Sequence, residues 1–154
     1  MKFAILLTLA SLAFAEDRAF LGRWSTGSVS TVQYKNSVTG VAAPATGNRF
    51  SWEFRADGTY NFTGLMQSTF YSCTTSTFMN ESGTYELSGD VISVKPEKNP
   101  YQMRYSCSPS SDNEKPGKLI PKSYRVRVLS DSSGQKLELI STVDNASQIF
   151  RKDR

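Results

Sequence analysis

Alternation of apolar and polar residues is the feature that most restricts what this chain can fold into. Residues 49–55 read RFSWEFR and residues 59–66 read TYNFTGLM, so aromatic residues recur at every second position in both segments. The dipeptide Asp57-Gly58 between them is a turn signal, because it tolerates the positive φ that tight hairpins need. Successive side chains of a strand point to opposite faces, so the sequence predicts a hairpin over residues 49–66 with one aromatic face. That face carries Phe50, Trp52, Phe54, Tyr60 and Phe62.

The same two-residue period continues along most of the chain. Two more hairpins are predicted over residues 83–96 and 122–142, and single strands are predicted from Gly22, over Thr69–Phe78 and over residues 147–152. Each segment is rich in β-branched or aromatic residues and is bounded by Gly, Pro, Asn, Asp or Ser. The sequence therefore predicts about eight antiparallel strands.

Two segments interrupt this pattern. Residues 97–118 are rich in Pro, Ser and charged residues; we expect a short strand at Tyr101–Cys107 and a loop at Ser108–Lys118. A second long loop is expected at Lys35–Asn48, which contains Pro and Gly. Such residues favour turns and loops over strands.

About eight strands in one small domain must avoid exposed sheet edges. Closing the sheet on itself does this directly, and consecutive hairpins favour an up-and-down order. We therefore predict an all-β fold, a single antiparallel up-and-down β-barrel. A β-sandwich is the alternative, and it requires crossed connections that consecutive hairpins do not favour.

The first fifteen residues, 1–15, have the pattern of a secretory signal peptide. Lys2 precedes an apolar run that ends in Ala13-Phe14-Ala15, a cleavage pattern of small residues. A membrane anchor is the alternative, but the run is shorter than the roughly 20 residues that span a bilayer. We expect cleavage before Glu16, a single domain over residues 16–154, a secreted or periplasmic location and no membrane span.

The two cysteines, Cys73 and Cys107, both belong to the part expected to be exported. A pair of cysteines in an oxidising compartment most often forms a disulfide, so we predict a Cys73–Cys107 bond. A reactive thiol or half of a metal site is the alternative. Two cysteines cannot complete a tetrahedral zinc site, and the sequence has no histidine to help.

The absence of histidine narrows the chemistry open to this protein. It removes Ser-His-Asp and Cys-His catalysis, the common zinc and copper sites and histidine-ligated haem. Single carboxylates occur at Glu53, Glu86, Asp90 and Glu138, without a recognisable acid–base pair. We therefore expect no catalytic residues, no metal, no cofactor and no enzymatic activity.

The net charge of the full chain is +4, a mild basic excess. Arg125 and Arg127 share one strand face, and the other basic residues are scattered among acidic ones. Nucleic-acid binding usually needs a long basic stripe, so no nucleic-acid partner is expected.

The opening strand carries a family resemblance. Gly22-x-Trp24, close to the expected mature N-terminus, resembles the Gly-x-Trp signature of the lipocalins. The hairpin segments 54–64 and 82–94 also resemble those of bacterial lipocalin-like proteins, although the loop at 97–118 is longer than that family leads us to expect. The resemblance implies that Trp24 closes the barrel floor and that a basic residue of the last strand packs over its ring. Arg151 is the candidate for that residue.

The resemblance further implies a carrier of a small apolar molecule. The candidate ligand-binding residues are Trp52, Phe54, Tyr60, Phe62, Tyr85 and Tyr124. Aromatic side chains with a few polar tips are typical of such pockets, but the same residues could simply fill the barrel. The alternative function is a secreted protein-binding module, such as a protease inhibitor that acts through its long loops. We expect a monomer.

Overall fold

The computed structural model describes residues 18–29 and 46–153, so the predicted signal peptide and most of the predicted loop Lys35–Asn48 lie outside the described residues. Ten β-strands and one short 3-10 helix, Pro109–Ser111, make up the described fold. The strands are β1 Gly22–Val29, β2 Gly47–Phe54, β3 Thr59–Phe70, β4 Cys73–Ser88, β5 Val91–Lys98, β6 Pro100–Tyr105, β7 Asn113–Pro116, β8 Lys122–Asp131, β9 Gly134–Ser141 and β10 Ser147–Lys152.

Eight of these strands close into an antiparallel barrel. Their order is β3-β2-β1-β10-β9-β8-β5-β4, and the pairing of β4 with β3 closes the circuit. Strands β6 and β7 lie outside it. The predicted all-β barrel is therefore confirmed, and the sandwich alternative is wrong. Among the described residues, no helix is long and apolar enough to cross a membrane.

The β3–β4 hairpin is much longer than the barrel needs. The second part of β4, from Ser82 onwards, pairs with β5, whereas its first part, from Thr75 to Met79, pairs with β6. Strand β7 then pairs with β6. Residues 65–79 of the hairpin and residues 100–116 thus form a four-stranded sheet that continues from the barrel, which we call the extension. At its base, residues 65–67 still pair with β2.

Two sequence predictions were wrong in this region. The predicted strand Thr69–Phe78 contains a chain reversal, because β3 ends at Phe70 and β4 begins at Cys73. The reversal uses positive φ at both Tyr71 (46°) and Ser72 (65°), a turn that normally takes Asn or Gly. The predicted loop Ser108–Lys118 contains β7, which finds a partner because β6 lies beside it.

The disulfide joins Cys73, at the start of β4, to Cys107, just after β6, as predicted. Their Cα atoms are 5.3 Å apart. The backbone N–H of Thr74 also donates a hydrogen bond to the hydroxyl of Ser106, at 2.7 Å. These contacts fasten the end of β6 to the hairpin, at the far end of the extension.

The hydrophobic core lies inside the barrel. Its buried members are Phe20, Trp24, Trp52, Phe54, Tyr60, Ile92, Val94, Leu137, Leu139 and Phe150. A turn at residues 18–21 covers the lower end, near the tight β4–β5 and β8–β9 turns, and Trp24 Nε1 donates to the Phe20 carbonyl at 2.6 Å. The upper end is the one from which β3 and β4 continue into the extension.

Candidate functional site

The six predicted ligand-binding residues form one connected group of rings inside the barrel. Trp52, on β2, is at its centre, with ring-centroid distances of 4.8 Å to Phe62, 5.5 Å to Tyr60 and 5.9 Å to Tyr124. Trp52 also stacks on Phe54 at 5.4 Å, and Phe54 meets Tyr85 edge-on at 5.5 Å. Alternation along β2, β3, β4 and β8 brings these residues to one interior because each occupies an inward position.

Phe54 and Tyr85 belong to the lower closure of the barrel. Both pack edge-on against Phe20, at 5.5 and 5.7 Å. The Tyr85 hydroxyl donates to the Arg55 carbonyl at 2.5 Å, which holds the ring against the β2–β3 turn. These two predicted site residues therefore have a packing role in this structure.

The remaining four rings form a group with a buried carboxylate, Glu81, which was not among the predicted site residues. Glu81, on β4, is only 4% exposed, and its cross-strand partner on β3 is Phe62. Glu81 Oε1 accepts a hydrogen bond from the Tyr60 hydroxyl at 2.9 Å, and Oε2 lies 3.5 Å from Lys122 Nζ. Glu81 and Tyr85 are four residues apart on β4, so their side chains point to the same face of the strand. Since Tyr85 was predicted to face inward, the sequence could have predicted that Glu81 faces inward too.

Both tyrosine hydroxyls near Glu81 stay protonated across the physiological range. Burial, followed by the hydrogen bond to Glu81, raises the pKa of Tyr60 far above its ordinary value of 10. Burial raises the pKa of Tyr124 to about 12, and the charge of Glu81 contributes. The Tyr60 hydroxyl is thus a permanent donor to Glu81, and Tyr124 presents a neutral phenol.

Trp52 carries a buried hydrogen-bond donor, its indole N–H. Its indole Nε1 is buried and has no hydrogen-bond acceptor among the described residues. A buried donor without a partner costs about 1–3 kcal/mol, so such atoms are uncommon in native interiors. The buried carboxylate, the four rings near it and the lysine at its edge form one group, which we call the Glu81 site: Trp52, Tyr60, Phe62, Glu81, Lys122 and Tyr124.

The predicted partner of Trp24 was wrong by one residue. Lys152 Nζ lies 5.1 Å from the centroid of the Trp24 ring. Lys152 is the direct cross-strand partner of Trp24, whereas Arg151 pairs with Ser25 and therefore points to the opposite face. Trp24 itself is fully buried in the core.

Two of the carboxylates singled out in the sequence, Glu53 and Glu138, lie next to arginine side chains. Glu53 pairs with Arg55 at 2.6 Å, and Glu138 lies 3.8 Å from Arg127. Among residues 18–29 and 46–153, no group of three or more His, Cys, Asp or Glu side chains could hold a metal ion.

Comparison with known proteins gave no match, either to the protein-family models or to the curated proteins. The closed antiparallel barrel of eight strands is consistent with a lipocalin-like fold.

Proposed function

We propose that this protein is an exported, non-enzymatic carrier that binds a small, mainly apolar molecule at the Glu81 site. The observation that carries the proposal is the unpartnered Trp52 Nε1 in a group of aromatic rings. Ligand pockets typically combine apolar and aromatic walls with a few polar groups that orient the ligand. A ligand with a hydrogen-bond acceptor would satisfy the indole donor and remove its desolvation cost.

The ligand would approach from the upper end of the barrel. Trp52 and Tyr60 are buried, whereas Phe62 and Tyr124 are half-buried. Lys122, at the beginning of β8, has a side chain that is 41% exposed. Binding requires movement of this side chain and of the rings below it, because those rings are packed against one another.

The binding test uses prodan, a neutral apolar fluorophore with a carbonyl acceptor. We expect saturable binding to the purified protein, observed as a blue shift of the prodan emission. Trp52→Phe keeps an aromatic ring but removes the N–H, so the affinity should fall about five- to tenfold, the equivalent of one hydrogen bond. Phe78→Ala, on the outer face, is the matched control and should leave the affinity unchanged. Absence of saturable binding, or equal affinity in Trp52→Phe, contradicts the proposal.

Export is supported by the Cys73–Cys107 disulfide and by the apolar N-terminal run. Expression of the full chain in a host with a secretory pathway should yield a mature protein that begins at Glu16. Intact-mass measurement checks this, and recovery of an uncleaved chain in the cytoplasm contradicts it.

A second candidate function is recognition of a protein partner through the tip of the extension. Phe70 and Tyr71 are 75% and 87% exposed there, and their rings contact each other at 4.4 Å. Aromatic side chains on a fixed turn are efficient interface anchors because little entropy is lost when they bind. A panel of secreted proteases tests the inhibitor form of this function: inhibition that is lost in Phe70→Ser/Tyr71→Ser supports it. Activity of every protease in the presence of the protein contradicts it.

A further inference from the structure

The buried carboxylate of Glu81 indicates which chemical class of ligand the site would prefer. This inference rests on the proposed function and extends it. A charge in an apolar interior must be neutralised or paired, because its desolvation is expensive. Among the described residues, Lys122 forms the salt bridge with Glu81, and its side chain is 41% exposed at the upper end of the barrel.

The contact between Lys122 and Glu81 is loose. The separation of 3.5 Å exceeds the roughly 2.7–2.9 Å of a strong charge-assisted hydrogen bond. Tyr60, by comparison, donates to the other carboxylate oxygen at 2.9 Å. The Lys122 contact is therefore the weaker of the two hydrogen bonds to Glu81, and the Lys122 side chain can move into solvent when another cation takes its place.

The rings of the Glu81 site are suited to the apolar body of an amine, and the Glu81 carboxylate is suited to its ammonium group. The Trp52 ring contacts the rings of Tyr60, Phe62 and Tyr124. Glu81 accepts a hydrogen bond from Tyr60 and is the cross-strand partner of Phe62. A carboxylate next to several aromatic rings recognises an ammonium group better than it recognises a neutral or an anionic group.

We propose that the Glu81 site binds organic amines. The ligand ammonium takes the position of Lys122 Nζ at Glu81 Oε2, its apolar body packs on Phe62 and Tyr124, and an acceptor on the ligand meets Trp52 Nε1. Lys122 is an internal substitute for the ligand cation. Removing Lys122 should therefore strengthen amine binding, although Lys122 belongs to the site.

The experiment compares three ligands of similar shape by isothermal titration calorimetry at pH 7. Tyramine carries an ammonium group, tyrosol carries a hydroxyl in its place, and para-hydroxyphenylacetate carries a carboxylate. We expect tyramine to bind about tenfold more tightly than tyrosol, as a hydrogen bond between charged groups implies, and the carboxylate to bind most weakly.

Three variants assign this preference to the site. Glu81→Gln keeps an acceptor for Tyr60 but removes the charge, so tyramine and tyrosol should bind equally. Lys122→Met should raise the affinity for tyramine about fivefold or more, because the internal competitor is gone. Lys98→Met removes an exposed lysine of β5 and is the control for net charge; it should change neither affinity. If Glu81→Gln or Lys122→Met does not fold, the preference of the wild type for tyramine over tyrosol still decides the proposal.

The outcomes separate this inference from the proposed function. Prodan binding without any preference for tyramine over tyrosol overturns the amine proposal and leaves the carrier function standing. Tyramine affinity that is unchanged or weaker in Lys122→Met also overturns it. If neither prodan nor any of the three ligands binds, both proposals fail together.

Discussion

The barrel and the extension share strands β3 and β4, but different forces hold them together. All ten residues of the buried hydrophobic cluster belong to the barrel or to the turn at its lower end. Within the described chain, the extension contributes none of them. The extension is held instead by the disulfide between Cys73 and Cys107 and by backbone pairing between its strands.

The sequences of the two regions explain this difference. In the barrel part of β3, Tyr60 and Phe62 alternate with polar residues, so one face is apolar. Residues 65–79 contain no charged residue and are rich in Ser and Thr. One face of the extension carries apolar residues that are only half-buried: Met66, Met79, Tyr101, Met103 and Tyr105. A small sheet without a fully buried core is marginal in water, and a covalent link compensates for the lack of that core.

The largest expected effect tests the core. Trp24→Ala removes a fully buried side chain and its hydrogen bond to Phe20, so the free energy of unfolding should fall by about 3–5 kcal/mol. Guanidinium denaturation followed by circular dichroism measures this. Tyr71→Ala, at the exposed tip of the extension, is the matched control and should change stability by less than about 0.5 kcal/mol. Similar losses in both variants would remove the distinction between the two regions.

The second prediction concerns the disulfide. Cys73→Ser/Cys107→Ser should lower the free energy for local opening of the extension by about 2–4 kcal/mol and leave the barrel nearly unchanged. Hydrogen exchange should accelerate in β6, β7 and the tip of the β3–β4 hairpin, because no core holds them. Amides of β9, which carries the buried Leu137 and Leu139, should stay protected. Equal acceleration in the barrel and the extension would show that the two fold as one unit.

The sequence predicted the barrel better than the extension for the same physical reason. A buried face leaves a period of two, and this identified the hairpins that contain Trp52, Tyr85 and Tyr124. The turn at Tyr71-Ser72 has no such signal, because positive φ at these residue types is unusual and is imposed by the pairing of β3 with β4 along its whole length. Strand β7 depends on β6 for its partner, so its four residues carry little pattern of their own.

The candidate site was predictable in its rings but not in its charges. Alternation alone brought all six predicted aromatic residues to one interior. Glu81 and Lys122 were missed because a charged residue in an otherwise polar segment is normally assigned to the solvent face. The sequence predicted Arg151 over the Trp24 ring, whereas the structure has Lys152 there. The prediction was wrong by one position because β10 pairs with β1 so that Lys152 lies opposite Trp24. Short motifs do not determine register at that resolution.

The third prediction compares a hydrogen bond inside the barrel with one in the extension. Tyr60→Phe leaves Glu81 Oε1 without its donor and should cost about 1–3 kcal/mol. Gln102→Ala removes an exposed hydrogen bond to Glu114 in the extension and should cost less than about 0.5 kcal/mol. Urea denaturation at pH 7 measures both, and equal costs would contradict the low polarity that we assign to the Glu81 site.

Alkaline pH adds a signature that a simple packing defect would not give. The pKa of Tyr60 is raised in the folded protein, so above pH 10 the unfolded chain releases a proton that the folded chain retains. Stability of the wild type should therefore fall as the pH rises past 10, by about 1.4 kcal/mol per pH unit for each such group. Tyr60→Phe lacks this group, so the stability difference between the two proteins should narrow above pH 10. A constant difference between pH 8 and pH 11 contradicts the raised pKa.

The smallest expected effect separates two neighbouring cations of β10. Lys152→Met removes the charge that lies over the Trp24 ring but keeps the apolar part of the side chain, so stability should fall by about 0.5–1 kcal/mol. Arg151→Met removes the adjacent charge on the opposite face and should have no measurable effect, because Arg151 is exposed and pairs with Ser25. The two variants have the same net charge, so a difference between their denaturation midpoints comes from position alone. If Arg151→Met is the more damaging change, the register of β10 against β1 is shifted by one residue, and the floor of the barrel is closed by the residue that the family resemblance implied.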